Sequence, residues 1–179
     1  KHLLVQNIGK YFKADIVFFA EYDFDKKIYL PVDEKSEYLS DKYQKSYINY
    51  EWIGDEVKDY ITPLLGKREI IVPDLDEYLS KFEKSNEFIK LFRESDVKSS
   101  YNFPVLYEER IMGYFCIEYT KDVNIFSEED IMSIRSVCSQ AGIALYHSML
   151  YKKAHDEAVL ECHIIKELYT EIKTTLQGM

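Results

Sequence analysis

Apolar residues Leu3, Leu4, Ile8, Tyr11 and Phe12 recur at helical spacing, which predicts a short helix over 2–12. The next block, 14–22 (Ala-Asp-Ile-Val-Phe-Phe-Ala-Glu-Tyr), is dense in β-branched and aromatic residues and predicts a buried strand. A turn-like stretch at 23–27 leads to a second strand over 28–32, stopped by Pro31 and Asp33. Residues 34–49 are polar and tyrosine-rich with weak periodicity, and read as loop or irregular helix. Ile53, Val57, Tyr60, Ile61 and Leu64 predict a helix over 52–65, ended by Gly66. A short strand at 70–72 precedes Pro73-Asp74. A second amphipathic helix is expected over 82–93. Strands at 99–106 and 110–119 flank the polar turn Tyr107-Glu108-Glu109.

From Ser127 onward the pattern changes. Ser127-Glu128-Glu129-Asp130 combines an N-cap residue with an acidic first turn. No proline follows Pro104, and only Gly142 interrupts the run before Gly178. One helix of about 50 residues is expected, roughly 75 Å long at about 1.5 Å per residue. Val137, Ala141, Ala144, Ser148, Tyr151, His155, Ala158, Cys162, Ile165, Tyr169, Ile172 and Leu176 alternate steps of four and three. That is coiled-coil spacing, and it predicts a parallel homodimer through this helix. The alternative, a helix packed on its own domain, suits 131–145 but leaves the face from Tyr151 onward with nothing to cover it. The expected division is a domain over 1–150 and a helical segment over 151–179.

Composition narrows the function classes. With 46% hydrophobic and 15% aromatic residues the chain has enough apolar surface for a core. A net charge of −9 excludes a nucleic-acid backbone as partner. Cys116, Cys138 and Cys162 lack metal spacing and read as reduced thiols of a cytoplasmic protein. No apolar run reaches the roughly 18 residues of a membrane span. His147, His155 and His163 recur every eight residues, a rotation that prevents their convergence on one metal. No P-loop and no nucleophile constellation is visible, so no catalytic residue is assigned and an enzyme is not expected. Both ends, Lys1-His2 without an initiator Met and Gln177-Gly178-Met179, are expected to be cuts in a longer protein.

Several segments carry a family resemblance. They are Ala14-Asp15-Ile16-Val17, the run Gly66 to Asp74 (Gly-Lys-Arg-Glu-Ile-Ile-Val-Pro-Asp), Val97-Lys98-Ser99-Ser100 leading to Pro104-Val105, and Ile111-Met112-Gly113-Tyr114-Phe115. Phe126-Ser127-Glu128-Glu129-Asp130 and Gln140 to Leu145 complete the set. In this order the chain resembles GAF domains, the small-molecule sensory modules of bacterial signalling proteins and cyclic-nucleotide phosphodiesterases. The resemblance implies an α+β fold, with a central antiparallel sheet flanked by helices and a long C-terminal helix. Cyclic-nucleotide-binding members carry Asn-Lys…Phe-x3-Asp-Glu. Here Lys121, Phe126 and Asp130 agree, while Thr120 and Ile131 depart, so cyclic-nucleotide binding is not expected and Lys121 is free to pair with Asp130 across the last loop. The Cys beside His of bilin-binding members is absent from the sensory half, and Cys162-His163 lies on the long helix. No cofactor is assigned.

A second resemblance lies at the C-terminus. Residues 169–176 (Tyr-Thr-Glu-Ile-Lys-Thr-Thr-Leu) are similar to the H-box of sensor histidine kinases, His-Glu-[Ile/Leu]-[Arg/Lys]-Thr-Pro-Leu. Thr170 stands at the phosphoacceptor histidine and Thr175 at the proline. Two readings stay open: a degenerate H-box of a two-component protein, or a chance match on a helix.

Candidate ligand residues come from strand alternation. Val17, Phe19 and Glu21 alternate with Phe18, Ala20 and Tyr22, and Tyr114, Cys116 and Glu118 with Phe115, Ile117 and Tyr119. Glu21 and Glu118 are expected on one face of neighbouring strands, either lining a pocket or solvated at strand ends. Trp52, Tyr101, Phe103, Tyr114 and Cys116 either line that pocket or fill the core. The functional expectation is a sensory domain that binds a small ligand and signals through its C-terminal helix to a kinase-type output. The alternative is a ligand-free dimerisation scaffold.

Overall fold

Apolar runs without strict alternation belong to strands buried on both faces, and three such runs build the centre of this protein. The computed structural model describes residues 1–23, 25–41, 46–48, 55–80, 92 and 94–177, with the side chains of 55–59, 171 and 174–177 outside the description. In chain order the elements are α1 (His2–Phe12), β1 (Ile16–Asp23), β2 (Ile28–Tyr29), β3 (Glu37–Leu39), α2 (Asp55–Leu65) and β4 (Ile70–Val72). They continue with α3 (Leu75–Leu79), β5 (Ser99–Tyr107), β6 (Arg110–Tyr119) and α4 (Glu128–Gln177). The expected helix over 82–93 falls outside the described residues except for Phe92, which is helical.

The strands form one six-stranded antiparallel sheet in the order β2-β1-β6-β5-β4, with β3 pairing β1 on the same edge as β2. The first five residues of β1 are buried, as a strand covered on both faces requires. One face of the sheet carries Val17, Phe19, Tyr101, Phe103, Phe115 and Ile117, paired Val17↔Ile117↔Tyr101 and Phe19↔Phe115↔Phe103. Tyr101 stacks on Phe126 at 4.0 Å, and Phe126 stacks on Phe12 of α1 at 5.1 Å, so this outer face lies under the two terminal helices. The opposite, inner face carries Ile16, Phe18, Ala20, Tyr114 and Cys116. They form a core with Leu64 of α2, Leu75 and Leu79 of α3, and Val32 and Tyr47.

Asp15 ties the ends of β1 and β6 together. Its Oδ2 accepts from Thr120 N and Thr120 Oγ1, both at 2.9 Å, and its Oδ1 from Ser40 Oγ at 3.2 Å. Replacing Asp15 with alanine strands these donors, and a loss of about 1–3 kcal/mol is expected in denaturant unfolding. A variant as stable as the parent would contradict this role.

The last loop closes differently from the expected Lys121–Asp130 pair. Asp130 Oδ2 accepts from Ser127 N at 2.9 Å and Ser127 Oγ at 2.6 Å, and Ser127 Oγ accepts from Asp130 N at 3.1 Å. This reciprocal cap starts α4, and its hydrogen bonds hold the Asp130 carboxyl below its ordinary pKa. The chain divides into two units, Lys1–Gly142 and Ile143–Met179. In the second unit, which is helical through Gln177, every described side chain from His147 to Thr170 is exposed, including Tyr151 at 76% and Ile165 at 66%.

Candidate functional site

Period-two geometry on paired strands brings four polar side chains to the inner face. Ser100 pairs with Glu118 and Asn102 with Cys116, so all four side chains emerge on the same side of β5 and β6. They are buried among aromatic rings, with Glu118 only 1% exposed. Asn102 Nδ2 donates to Tyr60 Oη at 3.2 Å and to Ser100 Oγ at 3.1 Å. Ser100 Oγ and Cys116 Sγ then both donate to Glu118 Oε1 at 3.4 Å. The carboxylate is the terminal acceptor of this network, and its second oxygen, Oε2, is buried with no hydrogen-bond partner among the described residues.

A buried carboxyl without a full set of partners prefers its proton. Burial pushes Glu118 up to about 7, the charge of Glu37 adds to the rise, and the approach of Cys116, Tyr47 and Ser100 opposes it. Glu37 itself is fully engaged, accepting from Ser46 Oγ at 2.5 Å and Tyr47 N at 2.6 Å. Burial, and then the neighbouring Glu118, raise the Cys116 thiol well above its ordinary value. It stays a protonated donor, far from the thiolate that nucleophilic chemistry requires. Tyr60 and Tyr114 are likewise held as neutral phenols by burial.

The shift at Glu118 fixes a sign. Its folded-state value lies above the ordinary 4.5, so the stability this proton contributes is present in full below 4.5 and lost as pH rises through about 7. A Glu118→Gln variant has no proton to lose. Relative to it, the parent should fall by at most about 3 kcal/mol between acid and mildly alkaline pH. Parallel melting curves across that window would place the carboxylate in solvent.

The register corrects part of the expected site. Tyr114, Cys116 and Glu118 do share the inner face, but Glu21 does not. Glu118 stands opposite Ile16 and Glu21 opposite Gly113, an odd offset along β1 that puts the two carboxylates on opposite faces. Glu21 is half-exposed and pairs with Lys1. Tyr101 and Phe103 belong to the outer face, where Tyr101 Oη donates to Asn124 O at 2.5 Å and accepts from Phe126 N at 3.2 Å. Trp52 lies outside the described residues. Ser100, Asn102, Tyr60, Glu37 and Tyr47 are site residues that the sequence pattern does not single out as such. The available signal was Ser100-Tyr101-Asn102, two small polar residues of one parity inside an otherwise apolar strand.

No group of His, Cys, Asp and Glu that could hold a metal ion occurs among the described residues. None of their helices is long and apolar enough to cross a membrane.

The GAF domain family matches residues 2–145, most of the chain. The protein belongs to the GAF domain family. Solved GAF structures share its fold at low identity. The photoproduct state of GAF3 from Slr1393 of Synechocystis sp. PCC6803 superposes with a TM-score of 0.68 at 12% identity, covering 84% of this chain and 94% of that one. A far-red absorbing dark-state protein with bound biliverdin IXa gives 0.63 at 14%, covering 81% and 86%. The GAF domain of an Acinetobacter phosphoenolpyruvate-protein phosphotransferase gives 0.60 at 14%, covering 85% and 83%. Comparison with curated protein sequences finds no match. Within this GAF domain, the buried polar network on β5 and β6 is the strongest candidate for a site.

Proposed function

We propose that this GAF domain is a sensory and regulatory module that takes a small ligand against the inner face of its sheet. The carrying observation is Glu118 Oε2, a buried carboxyl oxygen without a partner among the described residues, next to Ser100 and Cys116, which both donate to Oε1. An unpaired polar atom in an apolar interior costs free energy, and proteins keep such atoms where a ligand or ordered water completes them. Tyr29 Oη is a second buried group of this kind, on β2, in edge-to-face contact with Tyr114 at 4.8 Å.

In this reading the domain works as a parallel dimer whose α4 helices carry the ligand state to a kinase-type output, and the chain itself performs no catalysis. Thr170 supports a helical relay over a phosphoacceptor. Its Oγ1 donates to Lys166 O at 2.8 Å, and a hydroxyl cannot form the labile phosphoramidate of a histidine. A bilin is bound by one structural neighbour, but Cys116 here is buried and donates to Glu118, so a covalent chromophore is not proposed. The rival reading, a scaffold that binds nothing, requires water alone to complete Glu118.

Native mass spectrometry of the freshly purified chain tests the proposal. A retained small molecule that leaves on denaturation is expected above the 21.3 kDa chain mass. Bare protein in every preparation, with no stabilisation by any added small molecule, would favour the scaffold.

A further inference from the structure

The inner-face network specifies the charge of what it would hold, an inference that rests on the ligand-binding reading above. Both hydrogen bonds that Glu118 receives converge on one oxygen. Asn102 donates to Ser100, and Ser100 and Cys116 donate to Oε1. In the ionised form of Glu118, Oε2 is an open acceptor, and the group that completes it and draws off the proton must be a donor. The electrostatics agree. The charge that raises Glu118 further is another carboxylate, Glu37. A second buried acid makes the ionised form of Glu118 costly until a cation joins it.

The aromatic rings packed around Glu118 suit the same occupant. Phe18 lies 5.2 Å from Tyr47 and 5.9 Å from Tyr114, ring centre to ring centre, and Tyr114 lies 4.8 Å from Tyr29. Aromatic faces attract cations through their quadrupole, and the attraction grows as water is excluded. A carboxylate acceptor beside several aromatic rings recognises a nitrogen cation. It rejects an anion twice over, by Glu118 and by Glu37.

We infer that this site takes a small organic cation bearing N–H groups, an ammonium, amidinium or guanidinium, whose donor occupies Glu118 Oε2. Such a donor would form a charge-assisted hydrogen bond, about twice as strong as a neutral one. It would also remove the cost of leaving Oε2 bare.

Three probes of one shape and different charge test this on the 179-residue chain: benzamidinium, benzamide and benzoate. Benzamidinium is expected to raise the melting temperature and to bind in calorimetry, benzamide to bind more weakly, and benzoate not at all. Glu118→Gln is expected to lower benzamidinium affinity about tenfold, the weight of one charged hydrogen bond. Where that variant fails to fold, the order of the three probes on the parent chain decides. Benzoate binding as well as benzamidinium, or a folded Glu118→Gln variant with full benzamidinium affinity, overturns the inference. A neutral or anionic molecule retained by the purified chain overturns the cation class and leaves the sensory reading standing. No retained molecule together with no response to any probe overturns both.

Discussion

Ending the chain at Ser148 is expected to convert a dimer into a monomer in light scattering. The removed segment carries Tyr151, Ile165, Tyr169 and Ile172 at heptad spacing, all exposed, with Ile172 at 60%. An isolated helix gains little stability from its own backbone, so a long helix with a persistent apolar stripe needs a covering surface. The flanking charges argue for parallel chains. Lys152, Lys166 and Lys173 each follow a seam position by one residue, so antiparallel chains would set lysine against lysine. In parallel chains Glu161 instead meets the partner's Lys166. The effect should be complete at concentrations where the full chain is entirely dimeric. A shortened chain that remains dimeric at the same concentration would show that the seam lies elsewhere.

The second large effect is expected at Gly142, where α4 passes the end of β5. A Cβ built there would lie 1.8 Å from Leu106 O and 2.6 Å from the Leu106 carbonyl carbon. Both obstructing atoms are backbone, so rotation of a side chain cannot relieve the clash. Alanine at this position gains about 1 kcal/mol of helix propensity. It must still force the helix and strand apart, at about 1–3 kcal/mol or more. Gly142→Ala should therefore lower the unfolding midpoint despite its better propensity. A neutral or stabilising result would contradict the close approach of helix and strand.

The elements most legible in the sequence are those that carry a continuous local signal. β1, β4, β5 and β6 announce themselves as apolar runs, and α4 as an uninterrupted stretch with a capped start. β3 (Glu37–Leu39) was hidden because it pairs with β1 over only three residues and carries Glu37, whose burial depends on Ser46 and Tyr47. α3 (Leu75–Leu79) was hidden because Pro73-Asp74 reads as a strand terminator. Asp74 also caps the helix, its Oδ1 accepting from Glu77 N at 2.9 Å. β2 stops at Tyr29, before Pro31, whose nitrogen offers no donor to a ladder.

The candidate site was legible within a strand and not between strands. Alternation alone groups Tyr114, Cys116 and Glu118. Joining them to β1 and β5 requires the register, and a slip of one residue exchanges the faces of a whole strand. That uncertainty misplaced Glu21, left Tyr101 and Phe103 open between pocket and core, and concealed Ser100 and Asn102. No local pattern fixes it, because β1 and β6 meet across about 90 residues of intervening chain.

Hydrogen exchange tests the central claim most directly, comparing the freshly purified chain with the same chain after unfolding, dialysis and refolding. If the inner face holds a ligand and α4 reports its presence, the refolded sample should exchange faster in Ser99–Tyr119 and in the helix beyond Ile143. Protection should return when the extracted small-molecule fraction is added back. Identical exchange before and after, or changes that spare both β5–β6 and α4, would contradict a sensory site on this face of the sheet.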